Sequence, residues 1–182
     1  MDTRDALKRN ATETVRRGGS VSLNFRDLGR SVGVKSSSVH YYFPTKGDLL
    51  REIAGDYRAG FLEALADGVR ASKTLRQDLL VLVDLFVAAQ RQELACLCGM
   101  LATETELLEA NARAAVNQFF ASLQQWIVQR AALRDARKPG GLAPAAFAEL
   151  LVSLLEGSLL LSRLEAHASS LTVARSWIQK VA

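Results

Sequence analysis

Apolar residues recur along the chain at helical spacing, and no strand-like alternation interrupts them. Leu7, Ala11 and Val15 stand at steps of four within 3–17, which predicts an amphipathic helix ended by Gly18-Gly19. Asn24 is a good N-cap for a short helix over 25–32, which Gly33 breaks. Serines 36–38 open a second short helix to about Tyr42, and Pro44 stops it. Thr45 with Asp48 three positions on is a variant capping box, and it starts a long helix to about residue 70. "SKT" is a connector. A fifth helix over about 75–92 is apolar nearly all round, which predicts central burial. Further helices are expected at about 95–104, 109–135, 144–167 and 171–180, with "RKPGG" the clearest loop. The expected class is all-α: a small three-helix N-terminal head, 1–46, and a larger helical body, 47–182.

Composition narrows the class. The 182 residues are 49% hydrophobic with only three prolines, which suits a helical chain with a real core. No uninterrupted apolar run reaches the roughly 18–20 residues of a membrane span. "MDTRDALKRN" lacks the apolar stretch of a signal peptide, so a cytoplasmic protein is expected. Charge is unevenly placed. Residues 1–60 carry 11 Lys+Arg against 7 Asp+Glu, and residues 61–182 carry 12 against 12, so the whole net charge of +4 lies in the first third. That fits a polyanion-binding head on a neutral body. Cys96 and Cys98 stand two apart, pointing to different sides of a helix. A mutual disulfide is not expected, and buried small apolar roles are favoured over redox or electrophile sensing. No spacing suggests a metal site or a cofactor, and no nucleophile–base pair or phosphate loop suggests an enzyme.

The segment 27–46, "DLGRSVGVKSSSVHYYFPTK", has the order a helix-turn-helix demands. Two short helices crossing steeply need a turn residue that tolerates positive φ and a small residue where they touch. With the turn on Gly33, Gly29 falls at the crossing, and Leu28, Val32, Val34, Val39 and Tyr42 face inward. The outward positions of the second helix are Ser36, Ser37, Ser38, His40 and Tyr41, side chains able to bond bases or phosphates. Lys35 and Lys46 bracket that helix, and Thr45 opens the next one, whose backbone N–H groups suit a phosphate. With Tyr42 these nine residues form the predicted contact set for double-stranded DNA. Phe25, Leu28, Val39 and Phe43 are assigned to the core of the head.

Residues 25–50, "FRDLGRSVGVKSSSVHYYFPTKGDLL", resemble the helix-turn-helix signature of the TetR family of bacterial repressors. Gly33, Val34, Tyr42, Phe43 and Lys46 match its pattern. His40 stands where members often have Tyr, and Lys35 where they often have Ser or Thr. Helix number and order also agree, and "CLCGMLATE" and "LLEGSLLLSRLE" look like segments of one subgroup. The resemblance implies a homodimeric one-component regulator, most often a repressor, released from a palindromic operator by a small molecule.

In the body, Phe86, Met100, Phe119, Leu123 and Trp126 are the candidate lining of a cavity for a small hydrophobic effector, or equally solid core. Residues 146–166 are too apolar for one buried face, which predicts a dimer interface carrying Leu151, Leu154, Gly157, Ser158 and Leu161. Asp84 shares the most polar stripe of its helix with Gln77, Val81, Ala88 and Arg91, and a partly exposed face is expected there. His167 is expected to cap a helix C-terminus. Two rival readings remain open: a helical small-molecule-binding protein with no DNA role, and a DNA-binding dimer that senses nothing.

Overall fold

The computed structural model describes residues 2–164 and 169–181. The described residues form α1 (Thr3–Gly18), α2 (Phe25–Val32), α3 (Ser36–Tyr42), α4 (Lys46–Gly68), α5 (Leu75–Arg91), α6 (Leu97–Ala102), α7 (Ala110–Leu133), α8 (Pro144–Leu161) and α9 (Ser170–Val181). The all-α expectation holds, with short 3-10 turns at Ser20–Ser22, Thr105–Leu107 and Pro139–Gly141 that the apolar pattern did not reveal. The capping role expected of His167 lies outside the described residues.

The chain divides into two compact units. The first joins Met1–Ala59 to Leu94–Phe119, and the second joins Gly60–Glu93 to Phe120–Ala182.

In the first unit, Leu7, Ala11 and Val15 form the fully buried stripe of α1. Asp2 caps the helix by accepting the Arg4 N–H, and Gly19, at φ 78°, closes it by donating to the Val15 carbonyl. The flank of that stripe is tied by charge: Arg4 reaches Glu52 at 2.6 Å and Lys8 reaches Asp56 at 2.7 Å. Leu28, Val39, Phe43, Leu49 and Ile53 complete this core, and the Arg4 guanidinium lies 5.4 Å from the Phe43 ring centre. Phe25, expected in the core, is only half-buried. The 94–119 segment is bonded to α1 through its backbone. Ala95 N–H donates to the Arg16 carbonyl, and Arg16 Nε donates to the Ala95 carbonyl at 2.8 Å.

In the second unit, α5 packs against α8 and α9. Thr74 and Gln77 make a reciprocal capping box at its start, a T-x-x-Q signature overlooked in reading "SKT" as a bare connector. Leu79, Leu82, Val83 and Phe86 are buried, whereas Gln77, Asp84, Ala88 and Arg91 are exposed, so the polar stripe faces solvent as expected. Asp84 there pairs with Arg175. Described α8 ends at Leu161, short of the 167 expected. Glu149 and Glu156 interrupt it, so it holds no uninterrupted apolar run of membrane length. By length and composition alone its 18 residues, mean hydropathy 1.6, qualify. Yet Phe147, Leu151 and Leu155 are buried inside the unit.

One neighbour of the apolar face of α5 is charged. Asp78 is fully buried and accepts from Arg130 at 2.8 and 2.9 Å and from Arg134 at 3.0 Å. Arg134 also donates to the Ser72 carbonyl at 2.5 Å. Burial pushes the Asp78 carboxyl up, but the hydrogen bonds and charges of the two guanidiniums outweigh it and hold the carboxyl below its ordinary value. A carboxyl depressed by folding stabilises the fold above its unfolded pKa of about 3.9 and loses that contribution as pH falls through the lower folded value. Asp78→Asn should therefore destabilise the protein by about 3 kcal/mol at pH 7, because it strands two guanidiniums. In denaturant melts the gap between wild type and variant should narrow below about pH 4. A gap that stays constant down to pH 2 would rule out the carboxylate's charge as its source.

Candidate nucleic-acid interface

The interface is built on the junction of α2 and α3. Asn24 Oδ1 accepts the Asp27 N–H at 2.8 Å and starts α2. Gly33 ends it in the left-handed region, φ 79° and ψ 26°, and the Val34 N–H closes back on the Gly29 carbonyl at 2.9 Å. A Cβ on Gly29 would lie 2.8 Å from the Val34 carbonyl oxygen and 3.3 Å from the Lys35 carbonyl carbon and Ser36 nitrogen. The neighbours are backbone and cannot swing aside, so the absence of a side chain at Gly29 sets how closely α3 crosses α2. Leu28 and Val39 are buried at the crossing, and Val32 and Val34 are half-buried beside it.

This places most of the expected contact set on one surface. Lys35, Ser36, Ser37, His40 and Tyr41 are exposed, while Ser38 and Tyr42 are half-buried. Tyr41 is 82% exposed, with its ring edge-on to Tyr42 at 5.3 Å between centroids. The His40 ring is steadied edge-on against Phe25 at 4.7 Å. Lys35 makes no ion pair among the described residues, so its charge is available to a polyanion.

Two members differ from expectation. Lys46 is turned inward: its ammonium donates to the Ser20 carbonyl oxygen, and burial lowers its pKa, with Glu104 opposing the shift. It stands at the first position of α4, and the carbonyl it reaches belongs to the turn after α1. Thr45 is exposed, but its hydroxyl faces two carboxylates, Asp48 and Glu109, each at 3.1 Å. Glu104 and Glu109 were missed by sequence reasoning. Glu104 accepts the Ser20 N–H at 2.8 Å and Glu109 accepts the Gly47 N–H at 2.9 Å. No local spacing signals partners 62 to 84 residues away.

The candidate effector residues fall in both units. Met100 and Phe119 belong to the first, and Phe86, Leu123 and Trp126 to the second. Phe86, Phe119 and Leu123 are buried, and Met100 and Trp126 are half-buried. Phe119 packs on Tyr57 at 5.5 Å and Phe86 on Phe61 at 6.0 Å between centroids. A groove of about 570 Å³ lies instead between α8 and α9, lined by Leu150, Leu154, Leu161, Val173 and Trp177. Of the expected interface residues, Leu154 and Leu161 line this groove. Leu151 is fully buried in the unit's own core, which corrects its assignment to a surface contact. Ser158 is buried at the groove's floor, and Gly157 is half-buried. Cys96 and Cys98 are both buried, and Cys96 Sγ accepts the Gly99 N–H at the start of α6.

Residues 61–176 match the family model described as "Transcriptional regulator LmrA/YxaF-like, C-terminal domain". The fold agrees over nearly the full length with solved TetR-family regulators. The one from Legionella pneumophila is 22% identical, with 99% of this chain and 97% of that chain covered and a TM-score of 0.90. That from Agrobacterium tumefaciens is 22% identical, with 98% and 97% covered and a TM-score of 0.89. The regulatory protein TetR from Rhodobacter sphaeroides is 22% identical, with 98% and 97% covered and a TM-score of 0.85. No curated protein matches at a significant level. The chain belongs to the TetR family of DNA-binding transcriptional regulators, and its body is of the LmrA/YxaF-like kind.

Tyr41→Ala should weaken binding to duplex DNA about tenfold, a loss typical of one charge-assisted hydrogen bond and its ring contact. The thermal melt should not move, because the side chain stands in solvent. Unchanged affinity in a gel-shift titration would remove Tyr41 from the interface.

Proposed function

We propose that the protein is a homodimeric repressor that holds a near-palindromic operator through α3 of each subunit and releases it when a small hydrophobic effector binds the body. The observation that carries this reading is the exposed row Lys35, Ser36, Ser37, His40 and Tyr41 on a helix held by the Gly29 crossing. Lys35 supplies a phosphate contact, the serines and His40 supply groups for base edges or phosphates, and Tyr41 adds a ring and a hydroxyl. Two such helices related by a dyad would read half-sites about one helical turn apart.

The dimer forms through the α8–α9 face. Leu161 is 46% exposed and Val173 is 65% exposed on the rim of an apolar groove, a costly arrangement for a monomer in water. A second copy would cover it isologously. The effector acts by linkage: a molecule that binds better to the form with mismatched head spacing lowers operator affinity by the same factor. Its candidate contacts are Phe86, Met100, Phe119, Leu123 and Trp126, and their apolar character favours a small hydrophobic molecule.

Selection of bound duplexes from a random DNA pool tests the core of the reading. An enriched inverted repeat is the expected outcome, and salt-sensitive binding without any enriched sequence would refute an operator. Leu161→Glu should turn the dimer into monomer in sedimentation and lower operator affinity by more than tenfold, since each head then binds alone. A variant that still sediments as a dimer would move the interface elsewhere.

A further inference from the structure

Anions and helix starts attract one another, because the first backbone N–H groups of a helix are unpaired and its dipole is positive there. Only three residues separate the start of α4 from the end of α3, the helix of the recognition surface. It is already occupied. Glu109 Oε1 accepts the Gly47 N–H at 2.9 Å, and Oε2 faces the Thr45 hydroxyl at 3.1 Å. Asp48 Oδ2 also accepts from Thr45, through its N–H at 3.3 Å and its hydroxyl at 3.1 Å. Asn111 Nδ2 holds the other Asp48 oxygen at 3.2 Å.

Gly47 makes this approach possible. A Cβ there would lie 2.3 to 2.6 Å from all three atoms of the Glu109 carboxyl group. A DNA phosphate at this position would need the same N–H and the same hydroxyl. One N–H serves one anion well, and two anions within hydrogen-bond reach of it repel each other.

We propose that Glu109 is an autoinhibitory anion, which occupies the start of α4 in the free protein and must leave before a DNA phosphate can take the Gly47 amide and the Thr45 hydroxyl. The proposal rests on the DNA-binding reading above. It makes the 105–111 segment a gate on operator affinity: whatever holds Glu109 in place weakens DNA binding, and whatever withdraws it strengthens binding.

Two full-length variants test it against the selected operator at several salt concentrations. Glu109→Ala removes the carboxylate, and Glu106→Ala removes one exposed negative charge from the same segment while leaving the Gly47 amide bonded to Glu109. Glu106→Ala should bind the operator much as the wild type does, and Glu109→Ala several-fold more tightly. The log–log salt dependence of Glu109→Ala should steepen by about one, the signature of one added phosphate contact. The comparison is decisive because both variants change the net charge equally: a Glu109→Ala protein that melts normally and binds no more tightly than Glu106→Ala overturns the proposal. An unchanged salt slope for Glu109→Ala overturns it as well. A wild-type protein that binds no duplex would defeat the DNA-binding reading and this proposal together, and that result is visible before either variant is made.

Discussion

The absence of a side chain at Gly29 is the constraint on which the recognition surface depends. The Val34 carbonyl oxygen lies 2.8 Å from where a methyl carbon would stand, and the Val34 N–H returns to the Gly29 carbonyl at 2.9 Å. Alanine would gain about 1 kcal/mol of helix propensity at this position. The overlap is with backbone that belongs to the turn itself, so the helices would have to part. Gly33 next to it supplies the left-handed conformation that lets α3 leave at a steep angle. With the crossing set, Val39 and Phe43 face the core, and Ser36, Ser37, His40 and Tyr41 face outward by helical period alone.

The same unit uses carboxylates to tie backbone amides. Glu104 and Glu109 come from the 94–119 segment and accept from Ser20 and Gly47, and the Lys46 ammonium turns in to the Ser20 carbonyl. Each of these groups is a charge satisfied by main chain, a strong kind of hydrogen bond. They place the turn after α1 and the start of α4 under the control of one distant stretch of chain.

The second unit solves a different problem. Its packing is largely apolar, from Phe86, Phe147, Leu155 and Ile178, yet Asp78 is buried with two arginines on it. Burying a lone carboxylate would cost several kcal/mol, and the two guanidiniums offset that cost only in one arrangement of α5 against the end of α7. The pairing constrains that arrangement in a way apolar contact, which tolerates sliding, does not.

Much of this architecture was legible from one-dimensional pattern. Helix positions, the caps at Asn24 and Thr45, the stop at Gly18-Gly19, the turn at Gly33 and the crossing at Gly29 all follow from rules that act over three or four residues. The family follows too, since its signature is local. What the pattern could not decide were contacts between residues distant in sequence. Asp78 reads as one more polar residue beside the exposed Gln77, until Arg130 and Arg134 arrive from 52 and 56 residues away. Lys46 reads as a phosphate contact until a carbonyl 26 residues earlier claims it. Leu151 and Leu161 have the same apolar character in sequence, and only the packing of α8 puts one in the core and the other on an open groove. Local hydrogen bonding and helical period are written residue by residue. Which face is covered, and which charge meets which, depends on where separate helices come to rest, and that is settled by the free energy of the whole packed unit.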